Sequence, residues 1–218
     1  MTDRHAESTM PSRRSRKRLG TRQAISDAAT RLFAERGFDQ VTVDEIAEAA
    51  DVGRMTVFNH FRRKEDMFFD LDPEWREELS NALVEREAGV SPVEAFRRFA
   101  HQAVELHKPY VTFSSSSQRF VDALEASEAL KARWRAIQDE AAEMLAGALA
   151  KVAGHHHPDA DAQLASHLMA AAWSAAMMQS QAAFRGSQDT QTAEAVFLDL
   201  MDKTAAGLRT AMAGTPYI

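Results

Sequence analysis

Arg54, Met55, Thr56, Asn59 and His60 fall within the seven residues RMTVFNH, and their side chains suit hydrogen bonding and surface contact rather than bond breaking. An amide such as Asn59 can pair bidentately with adenine, and a guanidinium such as Arg54 can do the same with guanine or hold a phosphate. The chemistry on offer is the reading of a nucleic-acid edge. It requires these side chains to project together from a rigid element, which the neighbouring sequence must supply.

Val43, Ile46, Ala47 and Ala50 recur at the spacing of one buried helical stripe, and the pattern stops at Asp51-Val52-Gly53. Thr42 with Glu45 is a capping box: the hydroxyl serves one orphan N–H and the carboxylate reaches back to another. Asp51 stands at the turn, where a short polar side chain tolerates the left-handed conformation. Gly53 precedes a second short helix, in which Val57 and Phe61 share the inward face and the recognition side chains point away. The pattern is a helix-turn-helix.

A preceding helix is expected over Thr21 to Glu35, with Ile25, Ala28, Ala29, Leu32 and Phe33 as its stripe and Gly37 closing it. Phe38 and Val41 should complete the small core. After Lys64, Glu65 and Asp66 suit a first helical turn, Met67, Phe68 and Leu71 can pack back, and Pro73 should close the segment. These signals divide the chain into a disordered basic arm over residues 1–18, a DNA-binding head over 19–72 and a helical body over 73–218. The arm's Arg16, Lys17 and Arg18 belong to a run of six cations between Pro11 and Ser26 with no acid. Such a run suits the DNA backbone or minor groove.

The run Ala24 to Phe69 resembles the N-terminal DNA-binding domain of the tetracycline-repressor (TetR) family of transcription regulators. The resemblance rests on Leu32-Phe33, Gly37-Phe38, Thr42, Ile46-Ala47, Val52, Thr56, Phe61 and Lys64-Glu65. It implies phosphate contacts from Thr42, Thr56, His60 and Lys64, a homodimer formed through the last two long helices, and a small-molecule effector held by the body. Where the family usually has glycine, serine and tyrosine this chain has Asp51, Gly53 and Phe58, so one phosphate-touching hydroxyl is missing.

Composition sets bounds. The net charge is −6, yet the residues up to Phe68 carry 13 Lys and Arg against 11 acids, and the rest 13 against 21. The acidity therefore belongs to the second part, and a basic DNA-facing end remains open. There are no cysteines, which excludes disulfides and thiolate chemistry and fits a reducing cytosol. No apolar run approaches a membrane span, and no hydrophobic segment follows the N-terminal basic residues, so a cytoplasmic location is expected.

From Pro73 onward the pattern is helical throughout, giving an all-α body of five or six helices. Ser91-Pro92-Val93-Glu94 reads as a second capping box, opening a helix with Phe96, Phe99, Ala103 and Leu106 on one face. Further helices are expected over about 113–126, 128–152, 161–184 and 190–212. Phe99, Phe113, Phe120, Trp134, Trp173, Met177 and Met178 are candidates to line an effector pocket, being aromatic or thioether side chains that suit an apolar molecule. Residue by residue, core packing is the stronger reading of each.

Other groupings carry less. His155-His156-His157 with Asp159 invites a metal, but adjacent residues rarely converge on one ion, and no metal or cofactor is assigned. Ser114 to Ser117 reads as helix capping, and acids such as Asp70, Asp72, Glu77 and Glu78 as solvated faces. No catalytic constellation is present. The expectation is a homodimeric DNA-binding regulator, a repressor released by an apolar or amphipathic effector and bound to a near-palindromic operator. The alternative is a constitutive DNA-organising factor of the same fold.

Overall fold

The computed structural model describes residues 13–70 and 72–218, and no β-strand occurs among them. The chain divides into two compact units, one ending at Asp70 and one beginning at Leu71.

The first unit holds α1 (Arg13–Arg36), α2 (Val43–Ala49), α3 (Arg54–His60) and a single turn, α4 (Glu65–Phe68). Ile25, Ala28, Ala29 and Phe33 are buried on α1, which packs against α2, α3 and α4, and Phe38, Val41, Ile46, Ala47, Val57, Phe61 and Met67 are buried as well. Leu32 is half-buried. Gly37 takes φ 82° and its N–H donates to the Phe33 carbonyl at 2.9 Å, the left-handed close that terminates α1. Phe33, Phe38 and Phe68 form an aromatic trio with centroids 5.0–6.2 Å apart.

Two expectations change here. The α1 helix begins at Arg13, eight residues before Thr21, so positions 13–18 of the expected disordered arm are helical. Lys and Arg are good helix formers and offset the roughly 1 kcal/mol that a glycine such as Gly20 costs inside a helix. The arm's first twelve residues lie outside the described residues. Pro73 does not close a helix: it stands in the first turn of α5 (Asp72–Val84), where its missing N–H would have had no helical partner.

The second unit adds α6 (Pro92–Glu105), α7 (Ser115–Ala126), α8 (Glu128–Val152), α9 (Ala160–Ser187) and α10 (Thr190–Ala211) to α5. The α9 helix packs against both α8 and α10. Trp173 is the centre of the core: its indole stacks on Trp75 at 5.5 Å and 4°, meets Phe197 edge-on at 5.3 Å, and touches Phe96 and Phe99.

Capping is well used. Ser114 and Ser117 form a complete capping box, and Ser91 and Asp159 accept the N–H groups of Glu94 and Ala162. The box expected at Ser91 is only half formed, because the Glu94 carboxylate turns to Arg97, at 2.8 and 2.9 Å, and to Arg98. Two arginines on the same helix face outcompete one backbone N–H. Asp70 and Glu78 are likewise not free acids. Asp70 pairs with Arg22, and Glu78 accepts from Lys108 Nζ at 2.8 Å and from the Tyr110 hydroxyl at 2.6 Å.

Candidate nucleic-acid interface

The turn between α2 and α3 is built by backbone. Asp51 takes φ 51°, and the Asp51 and Val52 N–H groups donate back to Glu48 and Ala47 at 3.1 and 3.0 Å. Gly53 then acts as N-cap with ordinary φ −73°, its carbonyl accepting from the Thr56 N–H at 2.8 Å, and no side chain caps the helix. A Cβ at Gly53 would meet only the Thr56 hydroxyl, at 3.9 Å, so the glycine is not sterically required.

On α3, Val57 and Phe61 are fully buried, and that inward pair fixes which face is left out. Met55 is 70% exposed, Arg54 and Asn59 are exposed, and Thr56, Phe58 and His60 are half-buried. Arg54 is not loose: Nη1 donates to Asp44 Oδ2 at 2.7 Å and the guanidinium carbon lies 5.5 Å from the Phe58 ring centroid.

The four residues implied as phosphate contacts are placed unequally. Thr42 is exposed at the start of α2, but its hydroxyl donates to Glu45 at 2.8 Å and accepts the Glu45 N–H at 3.3 Å. The Thr42 N–H, which donates to the Glu45 carboxylate at 2.8 Å, then the Thr42 hydroxyl and the Arg36 guanidinium 2.7 Å away, hold the Glu45 carboxyl down to about 2. Lys64 faces inward more than a phosphate ligand would. Its ammonium donates to the Phe38 and Val41 carbonyls at 2.9 and 3.0 Å and lies 4.1 Å from the Phe38 centroid, leaving one of three N–H bonds uncommitted by those contacts. His60 is held below the usual imidazole range by burial and then by repulsion from Arg18 and Arg22, which favours its neutral form. Arg22 donates to the His60 carbonyl at 2.9 Å, pairs with Asp70 and covers the Phe61 ring at 4.1 Å, so it clamps the end of α3 to α1. Arg16, Lys17 and Arg18 are exposed on the leading half of α1.

Sequence reasoning missed the roles of Asp44 and Arg22. Asp44 reads as a helix-start acid, and only the tight turn brings it beside a residue ten positions later.

In the second unit a cleft of about 410 Å³ opens between stripes of α5 and α6 and the segment after α6. Glu78, Asn81, Ala82 and Glu85 face Phe99, Gln102, Ala103 and Leu106, with Lys108 and Tyr110 at one end. Of the expected pocket residues only Phe99 lines it. Phe113 and Trp173 are buried in the main core with Met177 packed against it, Met178 and Trp134 are half-buried, and Phe120 is 36% exposed on α7. Leu106, expected on the buried face, is 56% exposed where α6 ends. His155 lies 3.3 Å from Asp159, and among the described residues no group of three or more His, Cys, Asp or Glu could hold a metal.

A helix-turn-helix head followed by an all-helical body defines a class of DNA-binding transcription regulators. Residues 25–71 match the family described as bacterial regulatory proteins, tetR family. A transcriptional repressor of Mycobacterium tuberculosis is 41% identical over 66 residues, covering 30% of this chain and 35% of that protein. The repressor KstR2 of Rhodococcus jostii is 30% identical over 129 residues, 54% of this chain and 63% of its own. The matches thus span between about a third and two thirds of these relatives. In fold, the chain is similar to SmeT in its complex with triclosan, with a TM-score of 0.55, 19% identity, and coverage of 86% of this chain and 91% of that one.

Proposed function

We propose that the protein is a homodimeric transcriptional repressor that leaves a near-palindromic operator when a small molecule occupies its helical body. The observation that carries this reading is the outer face of α3, where Arg54, Met55 and Asn59 stand exposed above the buried Val57 and Phe61. Asn59 reads adenine in the major groove. Thr56, His60 and the remaining N–H of Lys64 meet phosphates, and Arg16, Lys17 and Arg18 extend that contact along the backbone. Relatives named as repressors support the direction of control.

Two copies are needed because a helix-turn-helix gains specificity by presenting two recognition helices roughly 34 Å apart. The α9 helix offers a surface for pairing: Leu164 and Leu168 are 50% and 41% exposed, and Ala171, Ala175 and Ala182 continue the same exposed face. Small side chains let a second helix approach closely, and α10 lies alongside. The cleft at Phe99 is the effector site. An effector releases DNA only if it binds the DNA-incompetent form of the dimer more tightly than the competent one. The alternative of a constitutive DNA-organising factor requires a body without such a cleft.

A footprint over the DNA upstream of the neighbouring gene tests the reading. A protected inverted repeat, released by some metabolite, is the expected result; a folded dimer that protects no discrete site overturns it. No helix among the described residues is long and apolar enough to cross a membrane.

A further inference from the structure

We infer that Asp44 and Phe58 are positioning residues that hold Arg54 for guanine rather than for phosphate, making these three side chains a base-reading unit beside Asn59. The inference rests on the DNA-binding reading above and goes beyond it by assigning a base and two supporting side chains.

Three observations carry it. The Asp44 carboxylate accepts from Arg54 Nη1 at 2.7 Å while the guanidinium carbon lies 5.5 Å from the Phe58 centroid, so the fork is held from one side and supported from another. The two charged side chains are 59% and 62% exposed, and an ion pair that open contributes little to stability, so fold maintenance does not explain it. Arg54 also stands on the leading part of α3, the part of a recognition helix that meets base edges.

Charge decides between the two targets. A free guanidinium is attracted to phosphate as a cation. Paired with Asp44 it is close to neutral from a distance, and a phosphate approaching it also meets the carboxylate. Guanine O6 and N7 are uncharged acceptors and suffer no such repulsion, while the guanidinium keeps four N–H bonds for them. Holding the fork in place also removes rotamer freedom that a flexible arginine would lose on binding. Phe58 has no hydroxyl, so the ring offers a face and no polar contact of its own.

The test is selection from a random DNA library with the full-length protein, comparing wild type, Asp44→Asn, Phe58→Leu, Arg54→Lys and Arg54→Ala, with thermal melting of each. Wild type should enrich a site with one guanine per half-site that Arg54→Ala no longer prefers. Asp44→Asn should lower the preference for that guanine roughly tenfold, with unchanged or tighter binding to unrelated DNA and an unchanged melting temperature, and Phe58→Leu should lower it less. Arg54→Lys keeps the charge and loses the fork, so it should resemble Arg54→Ala in preference. A guanine preference that survives Asp44→Asn overturns the inference and leaves the regulator reading intact. So does equal weakening on all sequences. Enrichment of no site by wild type overturns the regulator reading itself.

Discussion

The two units put their characteristic side chains in opposite places. In the head the aromatic rings are spent on a small core and the polar groups of α3 face outward, as Asn59 and Met55 do above Val57 and Phe61. In the body the aromatic residues that suit a ligand, Trp173 and Phe113 above all, are themselves the core. A partner with a fixed shape, such as a DNA groove, is met by a convex face whose residues are exposed whether or not DNA is there. The body has no such preset face, and its packing leaves a cleft between stripes of α5 and α6.

The sharpest way to break this comparison is Trp173→Ala. It removes the ring that joins Trp75, Phe96, Phe99 and Phe197, and should cost about 3–5 kcal/mol of body stability, read as a lower denaturation midpoint. If Trp173 were instead a ligand-contacting side chain with little packing around it, the midpoint would barely move.

Asn59→Ala should act the other way. It leaves folding within about 0.5 kcal/mol, as exposed substitutions do. Operator affinity should fall by about 1–3 kcal/mol, with binding to unrelated DNA unchanged. Titrations against operator and scrambled duplexes at one salt concentration check it.

The same contrast explains what could be read in advance. The α2 and α3 helices, the box at Thr42 and the turn at Asp51 follow from local rules, because capping, left-handed turns and helical periodicity each involve residues a few positions apart. The α8 helix, Glu128–Val152, spans the residues expected for it. Contacts between distant residues were not legible. Nothing in the sequence says that Lys64 turns to the Phe38 and Val41 carbonyls or that Leu106 ends at the rim of a cleft. Aromatic residues at helical spacing look alike whether they fill a core or line a pocket.

A smaller effect separates the head by pH. Thr42→Ala should destabilise the head by about 1 kcal/mol, since the hydroxyl caps α2. The box is strongest when Glu45 is ionised. Its carboxyl is held down to about 2 in the folded chain against an ordinary 4.5, so its stabilisation is fully present above 4.5 and is lost as pH falls toward 2. The wild-type advantage over Thr42→Ala should therefore shrink across that window when both are melted side by side. An advantage independent of pH would mean that the carboxylate contributes nothing to the cap.

Gly53→Ser gives the smallest change and bears on the head alone. Gly53 already has the extended backbone of an N-cap, and the nearest obstacle to a Cβ is the Thr56 hydroxyl at 3.9 Å. A serine Oγ could accept an N–H of the first turn of α3, which no side chain now caps. The expected result is a gain of a few tenths of a kcal/mol in the head's stability, the usual margin of serine over glycine at this position. Operator binding is the informative half of the measurement. If DNA passes close to the Gly53 backbone, the added side chain will weaken binding while the melting temperature rises, and the glycine is there for the partner. If both improve together, the glycine serves neither the fold nor the contact.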